Sequence, residues 1–193
     1  MNPGKALKVL RAANRLKLVP RTGWLLRGVQ PAESVADHTY GVALTALLLA
    51  DLIAEPVDRE RLLVLALLHD LAESVTGDIP SPAGRFFPSG VKEEAEEQAL
   101  ASLLEGWPAG EAYAESWQED KEASTVEGRL VRDADRLEML LQADAYERAG
   151  ATGLDEFWDD LTPEQFAFDA TWQIVQQIVE ERQTAHSGTN REI

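Results

Sequence analysis

At 193 residues with 45% hydrophobic side chains, the chain is long enough for one sizeable core, and a single domain is expected over residues 1–185, followed by a frayed tail at 186–193. The absence of cysteine excludes disulfides, thiolate nucleophiles, iron–sulfur clusters and cysteine zinc sites, which leaves histidine and carboxylate as the ligands of any metal. A net charge of −16, spread along the chain, repels a phosphate backbone and excludes polymeric nucleic acid as a partner.

The opening MNPGKALKVL lacks the apolar stretch of a secretory leader, and no later apolar run reaches the ~18–20 residues that span a bilayer. A cytoplasmic protein with no membrane partner is the expectation. A small phosphorylated substrate stays compatible with the acidic surface, because a bound divalent cation can outweigh the surrounding field.

Apolar residues recur at three- and four-residue spacing and strand-like alternation is nearly absent, so the fold class is all-α. A first helix is predicted from Pro3 to Leu18, stopped by Pro20, and Pro20 to Pro31 reads as a loop with turn signals at Gly23 and Gly28. Ser34 with Asp37 has the form of a capping arrangement opening a long apolar helix through Val42, Ala46, Leu49 and Ile53, with His38 in its first turns. Pro56 and Asp58 mark the next start, and RLLVLALLHDLAESV reads as one buried helix ending near Thr76 and Gly77. Asp78 to Gly90 is an irregular loop rich in proline and glycine, and a candidate lid. KEEAEEQALASLL predicts a charged surface helix that could mediate dimerisation. Glu122 to Arg148 predicts a longer helix with Leu130, Leu137, Leu140 and Leu141 inward and Asp135 midway. Thr162 and Pro163 open a last helix.

A histidine and an aspartate together at the end of a wholly apolar helix are costly unless both find partners. A structural histidine–carboxylate pair in the core would satisfy an isolated His69–Asp70 dipeptide. The chain has only three histidines, however, and a second, His38, also falls on an apolar helix, while Asp135 lies beside Leu137 and Leu140 on an expected buried face. Two imidazoles and two carboxylates suit Mn, Fe, Co, Ni or Zn better than the all-oxygen shells of Ca or Mg. Glu73, four residues after His69 and three after Asp70, is aimed by helical geometry at the same site and is the candidate acid or base. Asp78, beside Gly77, is near enough to bind water, a second cation or a substrate hydroxyl. As isolated residues, Glu73 and Asp78 would read as a solvated helix face and a turn residue.

ESVADH, HDLAESVTGDIP and RDADRLEM, in this order and spacing, resemble the HD-domain superfamily of metal-dependent phosphohydrolases, and most closely its 5'-deoxynucleotidase branch, from about Leu16 to Tyr146. The resemblance implies a single all-α HD-domain helical bundle with the metal site in its core, and a homodimer. It implies hydrolysis of deoxyribonucleoside 5'-monophosphates with a divalent cation (Co, Mn, Fe, Ni, Zn or Mg). Carried over by motif, the metal ligands fall on His38, His69, Asp70 and Asp135, the catalytic carboxylate on Glu73, and a residue near the sugar or a second metal on Asp78. Trp24 matches a tryptophan that packs at the deoxyribose. Familiar bacterial members carry arginine immediately before that tryptophan, where this chain has Gly23, so Arg21 is the substitute for phosphate binding, with Arg27 second. Surface ion pairing would equally account for both arginines. Glu33 belongs to the ESVADH run and is taken as substrate-binding, although it could simply favour a helix amino terminus.

The expected chemistry is in-line attack on the monoester phosphorus by water activated at the ion. Two rivals keep the site. An HD phosphohydrolase could act on a triphosphate, a cyclic nucleotide or an alarmone, and a non-catalytic helical module could retain the metal for structure while binding a nucleotide or protein.

Overall fold

The computed structural model describes residues 3–189 and builds them from helices and turns, with no strand among them and one isolated antiparallel bridge between Pro20 and Ser34. The fold is all-α. Seven longer helices carry it: α1 Pro3–Arg15, α2 Val35–Leu49, α3 Arg59–Leu68, α4 Val91–Leu104, α5 Gly110–Glu122, α6 Val126–Arg148 and α7 Asp169–Thr189. None of the described helices is long and apolar enough to cross a membrane.

Three hydrophobic clusters make up the described interior, a small one around Trp24, Val29, Ala143 and Leu154 and two larger ones. Val42, Ala46 and Leu49 of α2, Leu62 and Leu65 of α3, Leu130, Leu137 and Leu140 of α6, and Val175 of α7 form the larger. Ala12 of α1, Leu100 and Leu103 of α4 and Trp117 of α5 close the smaller over Val35 and Leu68. Both α2 and α3 therefore run from one cluster into the other, and His38 and His69 sit at the crossing.

Ser34 and Asp37 make a full capping box, which fixes where α2 begins and places His38 one turn in. The backbone of Arg21 donates to Glu33 O at 2.9 Å and that of Val35 to Val19 O at 2.8 Å, so the segment before α2 is pinned against the segment carrying Arg21.

Several boundaries differ from the sequence reading, each for a local reason. The Pro20–Pro31 loop contains a single helical turn, Thr22–Leu25, with Gly23 inside it; the turn falls at Gly28, whose φ of 76° lies in the left-handed region. The loop after Asp78 likewise holds a one-turn helix, Ser81–Gly84. The α2 helix ends at Leu49, short of Ile53. A helix over Gly110–Glu122 lacks a clear apolar period and was not anticipated; Ala123, at φ 47°, separates it from α6, which Thr125 caps. Leu141, expected inside, is 42% exposed. The α4 helix is not wholly a surface helix, for it buries Glu96, Ala99, Leu100, Leu103 and Leu104. Thr162 and Pro163 open only a short turn, Pro163–Gln165, because the Asp133 carboxylate accepts the N–H groups of Ala167 and Phe168 at 2.8 and 3.1 Å and delays α7 to Asp169. The expected frayed tail is helical to Thr189, and residues 190–193 lie outside the described residues.

The largest departure is at the HD dipeptide. The single helix expected through Thr76 stops at Leu68, and helical pairing resumes only over Glu73–Thr76. The Trp117 indole N–H donates to His69 O at 3.1 Å, taking the carbonyl that an unbroken helix would offer to Glu73 N. The amides of Leu71, Glu73 and Ser74 bond three residues back instead, at 3.0, 3.0 and 3.1 Å. Trp117→Phe keeps the buried ring and deletes that donor. It is expected to cost about 1–3 kcal/mol in urea unfolding, whereas an unchanged midpoint would show that the indole does not hold this turn.

Candidate metal centre

The capped α2 brings His38 into the interior with no exposed surface, and the turn after α3 brings His69 to within 5.4 Å of it, centroid to centroid. Each imidazole uses its inner nitrogen internally. His38 Nδ1 lies 2.6 Å from Glu138 Oε2 and His69 Nδ1 lies 2.7 Å from Ala66 O. A carboxylate and a carbonyl can only accept, so both histidines donate through Nδ1 and turn Nε2 towards the space between them.

Both Nε2 atoms are buried with no hydrogen-bond partner. Asp135 Oδ1 stands 3.0 Å from His38 Nε2 without hydrogen-bond geometry, and Asp70 Oδ2 stands 3.3 Å from His69 Nε2 and 3.8 Å from His38 Nε2. Unsatisfied buried nitrogens are costly in a folded protein. Two of them facing two carboxylate oxygens have the donor set and the open lone pairs that a borderline divalent cation takes. His38, His69 and Asp135 each offer an atom within 4.8 Å of the others, and Asp70, 3.3 and 3.8 Å from the two Nε2 atoms, is the fourth candidate ligand.

Electrostatics agree with this geometry. Burial alone would lower the pKa of His38, but Asp135 and Glu138 overcome it and raise it to about 10. His69 is likewise opposed by burial and raised by Asp70. Asp70 is held well below the ordinary carboxylate range: burial opposes this, and His69, Arg21 and His38 outweigh it. Without a cation, protons take its place between the carboxylates.

The cluster opens on a cavity of about 270 Å³ lined by Arg21, Trp24, Asp70, Glu73, Asp78 and Asp135 among others. Glu73 is 3% exposed, with Oε2 lacking a partner, and burial, then Asp70 and Asp78, push its pKa up to about 8. Arg21 Nη1 lies 3.4 Å from Asp70 Oδ2; burial opposes the charged form, but Asp70, Asp135, Asp78 and Glu73 hold the guanidinium protonated. Asp78 Oδ2 accepts the Thr22 N–H and its carbonyl accepts Thr22 Oγ1, which fastens the turn carrying Trp24. Trp24 packs against Tyr146 and Phe157 at 5.3 and 4.6 Å and donates its indole N–H to Glu33 at 2.8 Å.

The remaining sequence candidates are placed differently. Glu33 does not line the cavity; it supports Trp24 from behind. Arg27 lines the cavity but bonds Glu156 Oε1 at 2.5 Å and Gly23 O at 2.7 Å, with its guanidinium 4.6 Å over Phe157. Asp135 is on the cavity face with 47% of its side chain exposed, rather than fully buried. A wider groove of about 900 Å³ beside Arg148 and Gln177 is lined by exposed side chains and holds none of these groups.

Sequence reasoning missed Glu138, Gly41, Lys92 and Lys121. Glu138 follows Asp135 by three residues in RDADRLEM, a spacing that puts both on one face of α6. Gly41 admits it: a Cβ there would meet Glu138 Oε1 at 2.6 Å and Cγ at 2.7 Å. Lys92 and Lys121 line the cavity from helices with no histidine to mark them.

The family model described as HD domain matches residues 13–166. The chain is 38% identical to the 5'-deoxynucleotidase HDDC2 of Bos taurus, covering 96% of this chain and 90% of that protein. It is 37% identical to the 5'-deoxynucleotidase HDDC2 of Homo sapiens, covering 92% and 86%. Among solved structures, it resembles a conserved hypothetical protein from Pyrococcus furiosus with a TM-score of 0.80 and 38% identity, over 90% of this chain and 99% of that one.

A cation bound at the two Nε2 atoms must displace their protons. His38 gains stability from its proton below its ordinary 6.5 and loses that contribution as pH rises through about 10, so the cation-free fold weakens over this window while cation affinity grows. Calorimetric titration with Co²⁺ in buffers of different ionisation enthalpy should record proton release, with affinity rising with pH. Binding that released no protons would place the ion away from the imidazoles.

Proposed function

The chain belongs to the HD domain family, and from that premise we propose that it is a divalent-metal-dependent 5'-deoxynucleotidase, converting deoxyribonucleoside 5'-monophosphates to deoxynucleoside and inorganic phosphate. The observation that carries the reading is the meeting of two unpartnered, buried imidazole nitrogens with Asp70 and Asp135 on the floor of a cavity walled by Arg21, Trp24 and Glu73. Relatives of 37–38% identity that bear the name 5'-deoxynucleotidase support the choice of substrate. So does size: ligand pockets commonly run to ~300–1,000 Å³, and a cavity of about 270 Å³ suits a mononucleotide better than a larger phosphorylated ligand.

In this reading His38, His69, Asp70 and Asp135 hold the cation, which supplies charge neutralisation at the phosphoryl oxygens and acidifies water. Arg21 faces the phosphoryl group from the cavity wall. Glu73 takes the proton of the attacking water and returns it to the departing 5'-oxygen, which leaves as the deoxynucleoside hydroxyl. Burial, Asp70 and Asp78 raise the Glu73 pKa to about 8, close to the neutral range where a general base works best. Trp24, buried to 3% and wedged between Tyr146 and Phe157, offers a rigid face to the sugar. Asp78 holds the turn that carries it. The domain proposed to do this runs over residues 1–185.

The same proposal includes a homodimer. Tyr40, Leu44, Leu48 and Leu52 recur every four residues along α2 and the turn after it, and are 70%, 44%, 56% and 57% exposed. A straight apolar stripe of this kind is self-complementary across a two-fold axis. The α4 helix is less suited to that role, since its apolar side is spent on the interior.

Two measurements test these readings. Phosphate release from paired deoxy- and ribonucleoside monophosphates should require Co²⁺ or Mn²⁺ and favour the deoxy substrate. Asp70→Ala should lose both metal and turnover, and Glu73→Gln should keep the metal and lose ~10²–10⁴-fold in kcat. Full activity in Glu73→Gln would remove the general base from the scheme, and metal-loaded protein inert on every monophosphate would remove the substrate. Light scattering should give a dimer mass that Leu48→Glu halves; a monomeric wild type would discard the stripe as an interface.

A further inference from the structure

Arg21, Trp24 and Arg27 follow one another at three-residue intervals, and all three line the cavity. The Trp24 amide donates to Arg21 O at 3.2 Å and the Arg27 amide to Trp24 O at 3.0 Å, so two tight turns carry the side chains along one wall. Arg21 stands at the histidine–aspartate end, 3.4 Å from Asp70 Oδ2. Trp24 comes one turn later and Arg27 one turn after that.

The Arg27 guanidinium is held in a fixed plane. Its Nε–H donates to Glu156 Oε1 at 2.5 Å and its Nη1–H to Gly23 O at 2.7 Å, while the ring of Phe157, the residue after Glu156, lies 4.6 Å from one face. Phe157 in turn packs on Trp24 at 4.6 Å with the two planes 35° apart. Only 14% of the Arg27 side chain is exposed, so the group belongs to the wall of the cavity and is not a solvated arm.

We propose that Arg27 determines how the nucleobase binds: the base of a deoxynucleotide stacks on the guanidinium face turned away from Phe157, with the sugar at Trp24 and the phosphoryl group at Arg21. This rests on the 5'-deoxynucleotidase reading above and adds to it a place for the base.

The bonding of Arg27 is what selects base over phosphate. Arginine grips a phosphoryl group through the N–H fork at its edge. Two of the three Arg27 nitrogens, Nε and Nη1, already hold Glu156 and Gly23, so a two-pronged grip competes with bonds that are made. Stacking uses the face and needs no N–H, and a planar, delocalised cation is a good partner for the π-system of a base. Holding the plane in advance lowers the entropy lost when a base settles on it.

The test uses the full-length, Co²⁺-loaded protein and two substrates that differ by the base, dAMP and 2-deoxyribose 5-phosphate. The readout is the ratio of their kcat/KM values, from phosphate release, in wild type, Arg27→Lys and Arg27→Met. Wild type should favour dAMP. Arg27→Lys keeps the charge and loses the plane; it and Arg27→Met should each lower the ratio about tenfold, the contribution of one stacked base, through KM for dAMP. Loss of an anion contact, or of a tie between two turns, would depress both substrates together and leave the ratio where it was. That result, or a wild type indifferent to the base, would overturn the inference. Deoxyadenosine, which has no phosphate, gives a second measure. Its affinity by calorimetry should fall about tenfold in both variants, and equal affinity in Arg27→Lys and wild type would overturn the inference whatever the turnover. Failure of the underlying reading looks different: the wild type would cleave neither monoester and would still bind deoxyadenosine more tightly than Arg27→Lys.

Discussion

His38 is gripped from both sides by one helix, and the site's geometry depends on that grip. Asp135 and Glu138, three residues apart on α6, reach its two ring nitrogens at 3.0 and 2.6 Å. A wholly buried imidazole without partners would cost several times the thermal energy, so the α2–α6 packing has one register, in which Nδ1 bonds Glu138 and Nε2 is left facing Asp135. Gly41, one turn beyond His38, is part of the same constraint, because any Cβ there would drive the Glu138 side chain off its line. Glu138 fixes the Nδ1 proton and so decides that Nε2 faces Asp135 and Asp70. An outer carboxylate that orients a metal-binding histidine is as much part of the donor set as the ligand itself.

The other half of the site comes from a helix that gives up its regularity. In an unbroken helix His69 and Asp70 would point about 100° apart. The switch to shorter-range bonds between Leu68 and Ser74, with Trp117 occupying the vacated His69 carbonyl, lets Asp70 and Glu73 line one cavity while His69 Nε2 faces Asp70 at 3.3 Å, all within five residues. Trp117 lies on α5, the helix with the weakest sequence signal, so the element hardest to foresee is the one that stabilises the irregular turn.

What was legible in the sequence follows from the range of the interactions involved. Ser34 and Asp37 bond to each other three residues apart, and the start of α2 could be read from them. Three- and four-residue apolar spacing gave the class of the fold and most of its long helices. Where a long-range partner decides the backbone, local pattern failed: Trp117 ended α3 early, and Asp133 moved the start of α7 from Pro163 to Asp169. The same division applies to side chains. His38, His69, Asp70 and Asp135 stand out because polar residues on helix faces expected to be buried demand partners. Glu96 sits in a run of acidic residues, EEAEEQ, where nothing distinguishes the buried one from its solvated neighbours. Glu33 and Arg27 were read from motif position, which does not show the tertiary contacts they make: Glu33 accepts from the Trp24 indole, and Arg27 lines the cavity while bonded to Glu156.

One oxygen, Asp70 Oδ2, links the two kinds of charge the cavity must handle. It lies 3.3 Å from His69 Nε2, 3.8 Å from His38 Nε2 and 3.4 Å from Arg21 Nη1. A cation drawn to the imidazole pair and the Arg21 guanidinium therefore compete for the same lone pairs. Filling the first loosens the hold on the second. Arg21 then turns part of its charge from Asp70 to whatever anion lies in the cavity, and by reciprocity an anion on Arg21 strengthens the cation site. In a protein of net charge −16 this coupling has a physical use. The empty cavity keeps its cations matched to carboxylates and avoids uncompensated buried charge. On the function proposed above, a cation held at the imidazoles would release part of the Arg21 charge to a phosphate dianion, so that each ligand would favour the binding of the other.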